Sequence, residues 1–127
     1  LRFEKNYIGC RKYDRYNLFN FNSLGFVRTM IVLEKDKIIY HNCSDILLKP
    51  MQDITFDIVF DEESTFYVCQ YYSLNVYVYA KKEKDLLEEL KADLLFLWKQ
   101  YALEEDNKLT KSAIKVKENL KSHFKQV

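Results

Sequence analysis

Ile54-Thr55-Phe56-Asp57-Ile58-Val59-Phe60-Asp61 is the stretch whose reading decides the fold. Its apolar residues at 54, 56, 58 and 60 alternate with Thr55, Asp57, Val59 and Asp61, a period of two that gives a strand one apolar face. Asp61-Glu62-Glu63-Ser64 reads as a turn, and two more β-branched, aromatic runs follow, Thr65–Gln70 and Asn75–Ala80. Connections this short cannot make the crossover that parallel pairing requires, so the three strands are expected to be antiparallel.

Working outward from this meander, the period changes to 3.6 after Ala80. Asp85-Leu86-Leu87-Glu88 has the form of a capping box with Asp85 as N-cap. Leu87, Leu90, Leu94, Leu97 and Tyr101 make one apolar stripe, expected to lie on the sheet, and Leu95, Trp98 and Ala102 make a second beside it. A further helix is expected from about Thr110, with Ala113, Val116, Leu120, Phe124 and Val127 on one side and lysines on the other. Upstream, Phe26–Leu33, a polar turn at Glu34–Lys37 and Ile38–Tyr40 read as a hairpin. Ile46-Leu47-Leu48 is stopped by Lys49-Pro50, which cannot continue a central strand. The expected class is α+β. An antiparallel meander, with strands near 26–34, 37–41, 54–61, 65–70 and 75–80, is packed by a long helix near 86–102. A C-terminal helix near 110–125 follows. All 127 residues form one domain, with an irregular arm over 1–23, a sheet-plus-helix core over 24–103 and the last helix beyond it.

Twenty basic and nineteen acidic side chains leave a net charge of +1, and 48% of the residues are hydrophobic, which excludes a mostly disordered chain. The neutral total hides a pattern. Residues 1–17 carry five bases against Glu4 and Asp14, residues 51–80 carry five acids and no base, and residues 111–127 carry five lysines against Glu118. An acidic middle between basic ends favours oriented contact with a partner, or between the segments themselves. Three well-separated cysteines (Cys10, Cys43, Cys69) argue against a disulfide scaffold and for a reducing, cytoplasmic location. No apolar run is long enough to span a bilayer, so no membrane association is expected. Leu1-Arg2-Phe3-Glu4-Lys5 lacks a signal-peptide core, and a first residue other than Met points to a trimmed chain.

Chemistry is sparse. Gly9 and Gly25 are the only glycines, too few for a phosphate-cradling loop. His41, Cys43 and Cys69 offer three metal ligands where a structural zinc site takes four, so no metal and no cofactor are expected. A nucleophilic pair of Cys43 or Cys69 with His41 or His123 needs a proximity that spacing does not supply. Asp57 and Asp61 stand roughly 13 Å apart on an extended strand, too far for two-metal chemistry. The chain is therefore expected not to be an enzyme, with a metal- or cysteine-dependent hydrolase the weakest of three readings.

Ile54 to Ala102, with Tyr67-Val68-Cys69-Gln70 as the second strand and Asp85-Leu86-Leu87-Glu88-Glu89-Leu90 entering the helix, resembles the HicB-like antitoxin domain of toxin–antitoxin operons. The resemblance covers about 40% of the chain. It implies a non-catalytic module that binds and neutralises a small basic RNase toxin. No helix-turn-helix or ribbon-helix-helix reader follows residue 103, so the implied role is the toxin-binding one.

Two main readings stay open. In the first, a protein partner docks on Asp57, Asp61, Glu62, Glu63, Leu95 and Trp98. In the second, nucleic acid is held by Arg11, Lys12, Tyr13, Arg15 and Tyr16, whose bases interleave with aromatic rings, together with Lys117 and Lys121 of the last helix. A symmetric homodimer is expected, from the aromatic load, from edge pairing along Asn75–Ala80, and from a Leu95–Trp98 stripe that a short C-terminal helix would leave uncovered.

Overall fold

The computed structural model describes residues 29–127. The expected arm over 1–23 lies outside the described residues. The main sheet has four antiparallel strands in the order β1 (Thr29–Leu33), β3 (Ile54–Asp61), β4 (Phe66–Tyr71) and β5 (Val76–Ala80). Register follows the alternation: Ile58 faces Cys69, and Cys69 faces Val78. Ile54, Phe56, Ile58, Cys69, Val76 and Val78 all turn to one face and are buried there.

The expected 26–40 hairpin does not form. Chain segment 34–37 does turn, with Lys37 N–H donating to the Glu34 carbonyl at 3.1 Å and Asp36 at φ 65°. That turn is tied elsewhere, however. Lys35 N–H donates to Asp53 at 2.8 Å and Asp36 N–H to the Pro50 carbonyl at 2.9 Å. β1 therefore pairs with β3, and of the expected 37–41 strand only Ile39 bridges, to Leu48. Leu48–Pro50 is β2, a short strand in a separate two-stranded sheet, where Pro50 is tolerated.

Helix α1 spans Glu83–Leu97 and runs on into one π-helical turn, Trp98–Ala102, closed by Leu103 N–H on the Trp98 carbonyl at 3.1 Å. It starts earlier than a capping box at Asp85 requires. Lys82 is the N-cap and makes no side-chain cap bond, while Glu83 and Asp85 set negative charge in the first turn against the helix dipole. The buried arc includes Leu86, Leu90, Leu94 and Leu97, whereas Leu87 and Tyr101 are only partly buried against the core. Leu95, Trp98 and Ala102 are buried too, in the same cluster as Ile39, Ile46, Leu48, Leu120 and Phe124. Trp98 is 5% exposed, and its indole N–H donates to Gln126 Oε1 at 2.8 Å.

Helix α2 spans Lys111–His123, with Thr110 capping it by accepting Ala113 N–H at 3.2 Å. The expected helix to 125 ends early. Phe124 takes extended geometry (φ −128°, ψ 159°), and Phe124–Gln126 is β6, antiparallel to β2. Val127, expected on the apolar side, is exposed. The chain thus turns back over α1 and covers the second stripe from within. One ground of the homodimer expectation, an uncovered Leu95–Trp98 patch, is therefore absent, since both residues are buried within the chain.

Phe124 is 1% exposed and closes this cover. Phe124→Ala is expected to cost about 3–5 kcal/mol in urea unfolding, against less than about 0.5 kcal/mol for Val127→Ala. Equal losses at the two positions would remove the C-terminal strand from the core.

Candidate interaction face

The outer face of the main sheet, away from α1, is formed by the other half of each alternation. On β1 and β3 it carries Met30 opposite Asp57 and Val32 opposite Thr55. All four are exposed, Met30 at 62% and Val32 at 48%. Glu62 and Glu63 are exposed at the adjoining β3–β4 turn. β1 is an edge strand, paired among the described residues only with β3. Two apolar side chains and Asp57 therefore share the outer face of β1 and β3, and Glu62 and Glu63 add two exposed carboxylates at the turn beyond the Asp61 end of β3.

The expected docking residues divide sharply. Asp57 lies on this outer face, and Glu62 and Glu63 are exposed at the turn beyond the end of β3. Asp61 does not present itself: it is 4% exposed, and its carboxylate accepts Glu63 N–H at 3.3 Å and the Ser64 hydroxyl at 2.7 Å, holding the turn. Leu95 and Trp98 are buried in the chain's own core and are corrected from docking residues to packing residues. Met30 and Val32 escape a reading of the sequence, because a 26–40 hairpin pairs their strand with the wrong neighbour.

Of the alternative set, Arg11, Lys12, Tyr13, Arg15 and Tyr16 lie outside the described residues. Lys121 is exposed on α2. Lys117 is committed elsewhere: its ammonium, on a side chain 17% exposed, donates to the Glu104 carbonyl at 2.6 Å and to Asp106 at 2.8 Å. It ties the Asp106–Lys108 turn to α2 rather than facing a phosphate.

The cysteine and histidine chemistry also resolves locally. Burial pushes the Cys69 thiol up to about 12, with the charges of Asp93 and Asp57 adding to it, so near neutral pH it is a protonated core group. His41 Nδ1 accepts Cys43 N–H at 3.1 Å, a turn contact. His123 lines an open cleft of about 390 Å³ with Asp53, Thr55, Tyr71 and Ser122. Its Nδ1 faces the Asn119 carbonyl at 2.7 Å, and a carbonyl only accepts, so Nδ1 carries the proton. Among the described residues no three His, Cys, Asp or Glu side chains are grouped to hold a metal ion. No helix among them is long and apolar enough to cross a membrane.

Compared with known proteins, the chain matches no family model, no curated protein and no solved structure.

Two measurements check this geometry. A thiol reagent at mildly alkaline pH, read site by site by mass spectrometry, should modify exposed Cys43 rapidly and Cys69 only on unfolding. Equal rates would contradict the burial of Cys69. The second concerns Asp106, whose carboxyl is held below the usual range by the Lys117 hydrogen bond first and the Lys117 charge second. A depressed carboxylate stabilises the fold above its unfolded value of about 3.9, and that contribution disappears as pH falls through the folded value. The stability gap between wild type and Lys117→Met should therefore narrow on acidification below about pH 4. A gap that stays constant would show that the ion pair does not contribute.

Proposed function

We propose that this domain is a non-catalytic protein-interaction module that docks a basic partner on the corner formed by β1, β3 and the β3–β4 turn. In its sharpest form it is an antitoxin-like protein that masks a small basic RNase toxin. The observation that carries the reading is the joint exposure of Met30, Val32, Asp57, Glu62 and Glu63 beside an edge strand. Strand edges recruit extended segments through main-chain hydrogen bonds, and exposed apolar side chains beside them add burial. The carboxylates choose the sign of the partner and speed its approach. The likeness of residues 54–102 to HicB-like antitoxins supports the toxin as that partner, and a cytoplasmic location goes with it.

The test is capture on the immobilised full chain from cells of its native source, followed by mass spectrometry and an RNase assay of what is bound. A small basic protein whose RNase activity is suppressed by the chain is expected. Reversing the corner with Asp57→Lys, Glu62→Lys and Glu63→Lys together should slow its association by about ten-fold or more, with less effect at high salt. Failure to retain any such protein, or retention indifferent to the reversal, refutes the reading. Retention of nucleic acid instead supports the alternative use of the basic segments.

A further inference from the structure

Where α2 ends against the start of β3, the chain leaves the open cleft of about 390 Å³. Two hydrogen bonds build it. Met51 N–H donates to the His123 carbonyl at 2.9 Å, which fastens the segment entering β3 to the end of α2. Lys35 N–H donates to Asp53 Oδ1 at 2.8 Å, which orients that carboxylate and leaves Oδ2 for another donor. A further wall is aromatic: Tyr71 and His123 stand edge to face, with ring centroids 6.2 Å apart and planes at 81°. Both rings are anchored. Tyr71 packs at 5.0 Å on fully buried Phe56, and His123 Nδ1 donates to the Asn119 carbonyl at 2.7 Å. In the neutral ring that bond leaves Nε2 as an acceptor. Exposed Gln52 and Thr55 complete the lining.

The chemistry of this lining selects a cation. Among the described residues that form it, Asp53 carries the one full charge, and no lysine or arginine is present. The ion pairs between described residues use other carboxylates, those of Glu34, Asp36, Glu88 and Asp106. The cleft also lies at the C-terminal end of α2, the negative pole of the helix dipole. A phosphate or a carboxylate would be repelled by each of these features. An oriented carboxylate, an acceptor ring nitrogen and an aromatic face suit a planar cation with several N–H donors better than a compact, strongly hydrated ammonium. We propose that the cleft is a binding subsite for a guanidinium group, with its N–H donors shared between Asp53 Oδ2 and His123 Nε2 and its face against the Tyr71 ring. A free small guanidine compound and an arginine side chain of a protein carry the same group. Thr55, which lines the cleft, also stands opposite Val32 on the outer face of β1 and β3, so the cleft adjoins the proposed docking face. The subsite uses only its own residues, and the inference does not depend on the proposed partner.

The test is a titration of the isotope-labelled full chain, read by amide chemical shifts, with N-acetylarginine amide and with methylguanidine. The neutral N-acetylcitrulline amide, of the same shape, is the control. Both guanidine compounds are expected to give saturable shifts centred on Asp53, Thr55, Tyr71 and His123, in the millimolar range or tighter, and the citrulline compound none. Asp53→Asn keeps the oxygen that accepts Lys35 N–H and removes only the charge, so the fold should persist while binding weakens about five-fold or more. Glu105→Gln, at an exposed carboxylate outside the cleft, should leave binding unchanged. Tighter binding of N-acetylarginine amide than of methylguanidine makes an arginine side chain the source of the group, and the reverse order makes it a free compound. No saturation by either guanidine compound would overturn the proposal. So would equal binding of the citrulline compound, shifts spread over surface carboxylates at large, or wild-type affinity in Asp53→Asn. Failure to capture a basic protein, with the guanidinium titration intact, would count against the proposed function alone.

Discussion

Helix α1 is apolar around more than half its circumference, and the rest of the fold answers that constraint. Leu86, Leu90, Leu94 and Leu97 on one arc and Leu95, Trp98 and Ala102 on the next are all buried in one cluster. A single sheet face covers one stripe of a helix, so a second layer is required. The chain supplies it from three short pieces: the Ile39–Leu48 bridge, β2 with β6, and the Leu120 side of α2. The single tryptophan joins them, its ring in the core and its N–H on Gln126 of β6. Aliphatic and aromatic burial of this kind is the main favourable term in folding, and each of the covering pieces is too short to be stable alone.

The same constraint sets which surfaces remain for recognition. With α1 enclosed, the outer face of β1 and β3 is the part of the main sheet that stays exposed among the described residues. Asp93, itself buried, accepts Tyr77 N–H along β5, whereas β1 has exposed Met30 and Val32 and pairs, among the described residues, only with β3. The two ends of the sheet therefore differ in chemistry. One end is lined by aromatic rings on the outer face; the other offers backbone, two apolar side chains and acidic groups.

Much of this is legible in the residues. The alternation at 54–61 and the change to a 3.6 period after Ala80 place three strands and the long helix within a few residues of where they lie. Two failures are instructive. Glu34-Lys35-Asp36-Lys37 has hairpin composition, but Asp53 captures Lys35 N–H, and no local pattern announces a partner eighteen residues away. Phe124 fits the helical stripe of α2 and is buried as that stripe requires, yet it does so as a strand, because pairing with Pro50 competes with one more helical turn. At the candidate site, Glu62 and Glu63 are readable as exposed turn residues. Asp61, one position earlier, is not distinguishable from them: a turn uses one carboxylate to satisfy its own amide and hydroxyl donors, and composition does not say which. Trp98 illustrates the same limit, since periodicity shows that a second stripe needs cover without showing what provides it.

Native-state hydrogen exchange tests most directly the claim that α1 is held between two covers in one cooperative unit. The amides of Ile39, Leu48 and Met51, which bond to the Leu48, Ile39 and His123 carbonyls, report on the second cover. Amides at Ile58 and Cys69 in the sheet, and at Leu94 in α1, report on the first cover and on the helix between. With α1 held in this way, all of these should exchange only through global unfolding, with one shared free energy and one shared denaturant dependence. Early, separate exchange of Ile39, Leu48 and Met51, with the sheet and α1 still protected, would show the C-terminal layer to be an appendage and contradict the claim.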